Sequence, residues 1–314
     1  MTAPARAVAL RGAPGLAGWT ALPERDRAVL LWLVVGDVIT AELAALLAYG
    51  HRRIAQRRLA RLAEYGLLSG SWAANRQRPR GPRYAYALTK SARAGLERLV
   101  WPDGRAHLDG GIEVVSPIIH GLATHDLFAA FLRASEPATG TVLAGWVPER
   151  ACLRLLGGWL RPDALAVIRI GERSIVLLIE RDLGTGRGPV LPEKVRRYRS
   201  AFSRSSEDPP IHVGIVVDSA RRAASVGRLI ARSDRPHPPV GVWVSAEAAL
   251  TADSLRAIWT SPAGASVRTV DLAAHWGADP WPLLSPGCLG GPDGLDGLDE
   301  RVFAAIPALA RFTR

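Results

Sequence analysis

Apolar positions follow two regimes along the chain: helical spacing through roughly the first hundred residues, then short unbroken apolar runs separated by helical stretches. Leu22 to Val35 starts after Pro23, places Glu24 and Asp26 in its first turn and then turns apolar, which predicts an amphipathic or buried helix. Thr40 is a suitable N-cap for AELAALLAYG, which Gly50 closes. In HRRIAQRRLARLAEYG, residues 51–66, Ile54, Leu59, Leu62 and Ala63 form one expected buried stripe. His51, Arg52, Arg53, Gln56, Arg57 and Arg61 fall largely on the other faces. Two helices, a short turn and a basic third helix predict a helix-turn-helix. A strand then starts at Leu67-Leu68, the turn-forming NRQRPRGPRY (75–84) reverses it, and Arg83 to Leu88 alternates like a returning strand, which together read as a wing.

Past a predicted linker, 101–115, His120 to Ser135 reads as a helix. Strand signals follow at 142–147, 164–170, 174–180, 212–217 and 240–244, with helices from Pro192 to Phe202 and from Ala220 to Arg232. Apolar strands alternating with helices predict a sheet covered on both faces, its early hairpin strands antiparallel. No glycine fingerprint follows any strand, which excludes a dinucleotide-binding domain. From about Ala263 a Gly/Asp-rich stretch and a short apolar helix broken by Pro307 predict a tail. The expected divisions are a flexible 1–20, a first domain 21–100, the linker 101–115, a second domain 116–262 and a tail 263–314.

Composition narrows the reading. The 314 residues suffice for two domains with their own cores. No apolar run approaches the ~20 residues of a membrane span, and nothing at the N-terminus has the apolar core of a signal peptide, so a cytoplasmic address with no membrane partner is expected. Cys152 and Cys288 are too few for a disulfide framework or a Cys-rich zinc site. Charge is concentrated: residues 51–100 hold twelve Arg and Lys against Glu64 and Glu97, which is +10 of the chain's +11. The bland meaning of such a run is a solvated face. A cationic helix followed by a cationic hairpin also fits a double-stranded DNA partner, with Arg52, Arg53, Gln56 and Arg57 near base edges or phosphates and Arg61 on the same helix. Arg76, Arg78 and Arg80 would reach the backbone or the minor groove. Most of the ten Trp residues are expected in cores, Trp72 near the wing being the exception.

Candidate chemistry lies in RPDALAVIRI, SIVLLIERDLGTG and PEKVRRYRSAF. Alternation puts Glu180 and Asp182 on one side of their strand, and Asp163 opens the neighbouring strand. Three converging carboxylates need a cation, and hard oxygen ligands suit Mg2+ or Mn2+. Such an ion could orient a water against a phosphate. Ordinary ion pairs with Arg181, Arg196 or Arg197 are the alternative. His120 and His125, five apart, fit packing better than metal binding. No nucleophile elbow or Walker spacing occurs, and no organic cofactor is expected.

The segment LARLAEYGLL, a basic loop and RYAYALTKSARAGLERL resembles the winged-helix domain of bacterial repressors of the multidrug-resistance type. Pro162-Asp163, a hairpin, Glu180-x-Asp182 and a basic helix resemble the PD-(D/E)XK nuclease-like fold, in which Asp182 stands where a Lys is usual. The resemblance makes Asp163, Glu180 and Asp182 metal ligands and lets Lys194, on the following helix, supply the catalytic ammonium, as in migrated-motif members. The order winged helix, PDA, IE.D.GT and KVRRYR is similar to the replication-relaxation family of actinobacterial plasmids and integrated elements, over residues 22–262, with ERDLGTG and KVRRYRSAF most specific. The expected fold is thus α+β / α/β, an N-terminal winged helix-turn-helix followed by a mixed-sheet restriction-endonuclease-like α/β domain. The resemblance implies a DNA-associated role in replication, relaxation or transfer. Enzyme status stays open; an enzyme would be a Mg2+- or Mn2+-dependent DNA endonuclease. The competing reading is a winged-helix transcriptional regulator whose second domain dimerises or senses a ligand, and a homodimer is left open in either case.

Overall fold

The computed structural model describes residues 19–73, 83–100, 118–135, 140–156, 160–171, 173–184, 190–202, 212–233 and 240–272. The described residues divide into two compact units, one up to Leu122 and one from Ala123 on.

In the first unit, α1 (Glu24–Gly36) follows Pro23 and carries Glu24 and Asp26 in its first turn. Its remaining length is buried on nearly every side, from Ala28 to Gly36, with Trp32 at its centre. Asp37 leaves the helix at a φ of 60° and pairs with Arg93 at 2.9 Å. A three-residue strand, β1 (Val38–Thr40), comes next. The Thr40 hydroxyl accepts the Leu43 N–H at 3.3 Å and caps α2 (Ala41–Ala44), which widens into a π-turn over Ala45–Tyr49. Gly50, at a φ of 74°, stops it in the left-handed region that a side chain would strain.

The basic helix α3 spans Arg52–Glu64, and the His51 Nδ1 caps it by accepting the Arg53 N–H at 3.2 Å. Its buried stripe is Ala55, Leu59 and Leu62, spaced i, i+4 and i+7. Ile54, expected in that stripe, is 38% exposed, because it sits one helical step, about 100°, away from Ala55. Strands β2 (Leu68–Ala73) and β3 (Arg83–Leu88) pair antiparallel from Leu68↔Leu88 to Ala73↔Arg83. β1 lies along the other edge of β3. Thr89 then caps α4 (Lys90–Val100) through the Ala92 N–H.

One ionic knot ties this unit together. Asp26, wholly buried in the first turn of α1, accepts the Tyr49 hydroxyl at 2.9 Å and pairs with Arg58 of α3. Burial and the Asp26 charge push the Tyr49 phenol above its ordinary pKa, so it stays a donor.

Helix α5 (Ile118–Ala134) precedes a mixed sheet. The elements run β4 (Thr141–Pro148), α6 (Glu149–Leu155), β5 (Ala164–Ile170), β6 (Arg173–Arg181), α7 (Val190–Phe202) and β7 (His212–Val217). They continue with α8 (Ala220–Ser233), β8 (Gly241–Ala246), α9 (Glu247–Ala252), β9 (Ile258–Thr260), β10 (Ser266–Arg268) and α10 (Thr269–Leu272). The seven strands lie in the order β10-β9-β8-β7-β6-β5-β4. β4, β5 and β6 form an antiparallel meander, β6, β7 and β8 are parallel, and β9 and β10 close the far edge antiparallel. Both faces are covered: β7 is buried at every position, and Phe128 of α5 stacks on Trp146 of β4 with centroids 5.1 Å apart.

The sheet thus runs past residue 262, because β10 belongs to it. The linker 101–115, residues 1–18, the tail beyond residue 272, and Arg76, Arg78 and Arg80 lie outside the described residues. Among the described residues no helix is long and apolar enough to cross a membrane.

Candidate functional site

Three predicted residues meet at one end of the β5–β6 hairpin. Asp163 stands just before β5, and its N–H extends the ladder to the Ile179 carbonyl at 2.9 Å. Its carboxylate accepts the Arg181 N–H at 2.5 Å. Glu180 is next to last in β6, on the strand beside it. Helix α7 lays Lys194 and Tyr198, four residues apart and so on one face, against that carboxylate. Lys194 Nζ donates to one Glu180 oxygen at 2.5 Å, and the Tyr198 hydroxyl donates to the other. Asp163, Glu180 and Tyr198 are all buried, at 6%, 2% and 2% exposure.

Burial sets the electrostatics. Loss of water, then the nearby Asp163 charge, raises the Glu180 pKa to about 7 even though Lys194 and Tyr198 pull it down. Burial opposes the Lys194 charge, but Glu180 and Asp163 outweigh it and hold the ammonium protonated above its ordinary range. Burial and the Glu180 charge push Tyr198 up, so it remains a donor. Cys152 of α6 is fully buried nearby, its thiol held against the Val147 carbonyl at 3.1 Å and pushed up by burial and then by Glu149.

Asp182 does not join them. Glu180 and Asp182 both face the α7–α8 helices, as alternation predicts, yet the helices divide them: α7 takes Glu180 and α8 takes Asp182. Arg222 of α8 grips the Asp182 carboxylate through Nε at 2.8 Å and Nη2 at 2.7 Å, and the other Asp182 oxygen caps the Gly184 N–H at 2.9 Å. Between them, the buried Arg181 turns to Glu247 and to the Val216 carbonyl at 2.9 Å. Among the described residues no group of three or more His, Cys, Asp and Glu forms a metal cage. Two carboxylates nevertheless suit Mg2+, which is commonly held by one or two of them together with water and substrate phosphate. Burial and then the Asp163 charge raise Glu180, and a divalent cation relieves the repulsion between the two carboxylates.

On α3, Arg53, Gln56 and Arg57 are exposed. Arg52, also exposed, pairs with Glu42 of α2 at 2.7 Å. Arg61 is drawn along its own helix, to the Tyr65 hydroxyl at 3.1 Å and to Glu64 at 3.2 Å. Sequence reasoning missed Arg58 as the partner of Asp26, although position 58 flanks the stripe set by residues 55, 59 and 62. It also passed over α8, whose Arg221, Arg222, Arg228 and Arg232 have no acid among them. On the adjoining α7, Arg196 and Arg197 are exposed and pair with Glu193 of their own helix.

A family model described as replication-relaxation matches residues 36–215, from β1 to β7. No curated protein and no solved structure matches the chain.

Proposed function

The chain belongs to the replication-relaxation family, and from that premise we propose that it is a DNA-binding protein of a plasmid or integrated mobile element, acting in replication, relaxation or transfer. Residues from α1 to β3 serve as a winged helix that docks on duplex DNA. The second unit serves as a restriction-endonuclease-like domain with a Mg2+- or Mn2+-dependent phosphodiester-cleaving site. One observation carries the reading: Asp163, Glu180 and Lys194 come together from a hairpin and the helix after it. The order α5, β4-β5-β6 meander, α7, parallel β7 supports it by its likeness to the nuclease-like fold.

In this reading Asp163 and Glu180 would hold the cation, and Tyr198 orients Glu180. When bound, a divalent ion lowers the pKa of a coordinated water and neutralises charge on the phosphate. Lys194 keeps its proton and directs an ammonium at a phosphoryl oxygen, where developing negative charge needs it. Asp182, held by Arg222, props α8 against the end of β6. The arginines of α7 and α8 give the phosphate backbone a path beside the site.

The direct test is nicking of supercoiled plasmid with Mg2+ or Mn2+, comparing the wild type with Asp163→Ala, Glu180→Ala and Lys194→Ala. Cleavage lost in all three variants, while Asp182→Ala retains it, is the expected result. No wild-type cleavage with either metal would sink the nuclease assignment. One observation favours a second reading, a DNA-binding scaffold or regulator without cleavage: both Glu180 oxygens already have partners inside the protein. Intact, steeply salt-dependent duplex binding without cleavage would decide for that reading.

A further inference from the structure

The outward face of the β2–β3 hairpin carries a row of aromatic side chains that the docking and cleavage roles above leave unused. Trp72 pairs across the strands with Tyr84, and Gly70 with Tyr86, so all four positions share one face. The rings pack edge to face, Trp72 on Tyr84 and Tyr84 on Tyr86, each pair with centroids 5.1 Å apart. Gly70 makes room for this row, since a Cβ there would fall 2.4 Å from the Tyr84 hydroxyl. Exposure rises along the hairpin, from the buried Leu68 and Leu88 to Tyr84 at 40% and Trp72 at 68%. Packing alone does not account for an indole left so open. The sequence around the hairpin is cationic: Arg83 precedes Tyr84, and residues 51–100 hold twelve basic and two acidic residues.

We propose that Trp72 and Tyr84 form a stacking platform for unpaired DNA bases, so that the protein prefers a melted or single-stranded segment beside its duplex. Flat aromatic faces on a cationic surface bind bases through their π faces, and sequence matters little. Bases stacked inside a duplex cannot present those faces, so the ligand is an unpaired nucleotide. The platform rests on the DNA-docking reading of α3, and it is tested so that the two can fail separately.

The experiment measures fluorescence anisotropy of the full chain with three labelled probes: a blunt duplex, the same duplex with a central bubble, and a single strand. Wild type is compared with Trp72→Ala, Tyr84→Ala and Trp72→Phe, whose folding is checked by thermal melting. The bubble is expected to bind roughly tenfold tighter than the blunt duplex. Trp72→Ala and Tyr84→Ala abolish that preference with duplex affinity unchanged, and Trp72→Phe keeps most of it. Equal wild-type affinity for bubble and duplex, or a preference that survives Trp72→Ala, overturns the platform and leaves duplex docking standing. Wild type that binds none of the probes overturns both. A dimer seen by sedimentation and lost in Trp72→Ala would show that the face covers a second copy, and would also overturn the platform.

Discussion

Glu180 gives the sharpest test of the acidic pocket, because its ionisation is coupled to folding. Its pKa rises from 4.5 to about 7 in the folded chain, through burial and then Asp163. The folded state therefore binds the proton more tightly than the unfolded state. The stabilisation from the neutral carboxyl is full below pH 4.5 and is lost as pH climbs through 7. A gap of about 2.5 units at 1.36 kcal/mol per unit amounts to about 3 kcal/mol. Glu180→Gln keeps the shape and removes the titration. Urea denaturation in EDTA between pH 4 and pH 8.5 should show the wild type losing about 3 kcal/mol relative to Glu180→Gln across that window, because titrating groups remote from Glu180 cancel in the difference. Parallel stability curves would refute the account, as they would mean that Lys194 and Tyr198 fully compensate the charge.

Arg58→Ala strips the cation from the wholly buried Asp26, with only the Tyr49 hydroxyl left, and should cost about 3 kcal/mol in denaturant unfolding, whereas Arg57→Ala leaves stability unchanged. At pH 8, Mg2+ should raise the thermal midpoint of the wild type but not of Asp163→Asn, a result that scanning fluorimetry reads directly. Gly36→Ala would put a Cβ 2.8 Å from the Trp32 ring and should destabilise the first unit by about 1–3 kcal/mol, measured by the loss of near-UV circular dichroism on heating. Replacing both Arg53 and Arg57 with Ala should weaken duplex binding and flatten the slope of log K against log salt by about 2, if both arginines meet phosphates.

Much of the element order is legible in the chain, because it rests on short-range rules. Thr40 and Gly50 bound one helical segment where capping chemistry places them. The apolar runs 164–170 and 212–217 coincide with β5 and β7, since strands buried on both faces need unbroken apolar stretches. The antiparallel start of the sheet also follows from the sequence, through the short turn between β5 and β6. ERDLGTG and KVRRYRSAF, which carry the family resemblance, both lie within the matched residues 36–215.

What the sequence could not decide are partnerships across the fold. Three-residue β1 and the β9–β10 hairpin are too short to show a period, and they are strands only because β3 and β8 offer free edges. Ile54 differs from Ala55 in exposure by one helical step, which hydrophobicity does not resolve. Alternation set Asp182 beside Glu180, but α8 brought Arg222 to it while α7 brought Lys194 and Tyr198 to Glu180. Periodicity along a strand says which way a side chain faces; which charge waits there depends on helices that arrive from 14 to 40 residues further along the chain. That is why the residue types of the pocket could be read from the chain, whereas its membership had to come from packing.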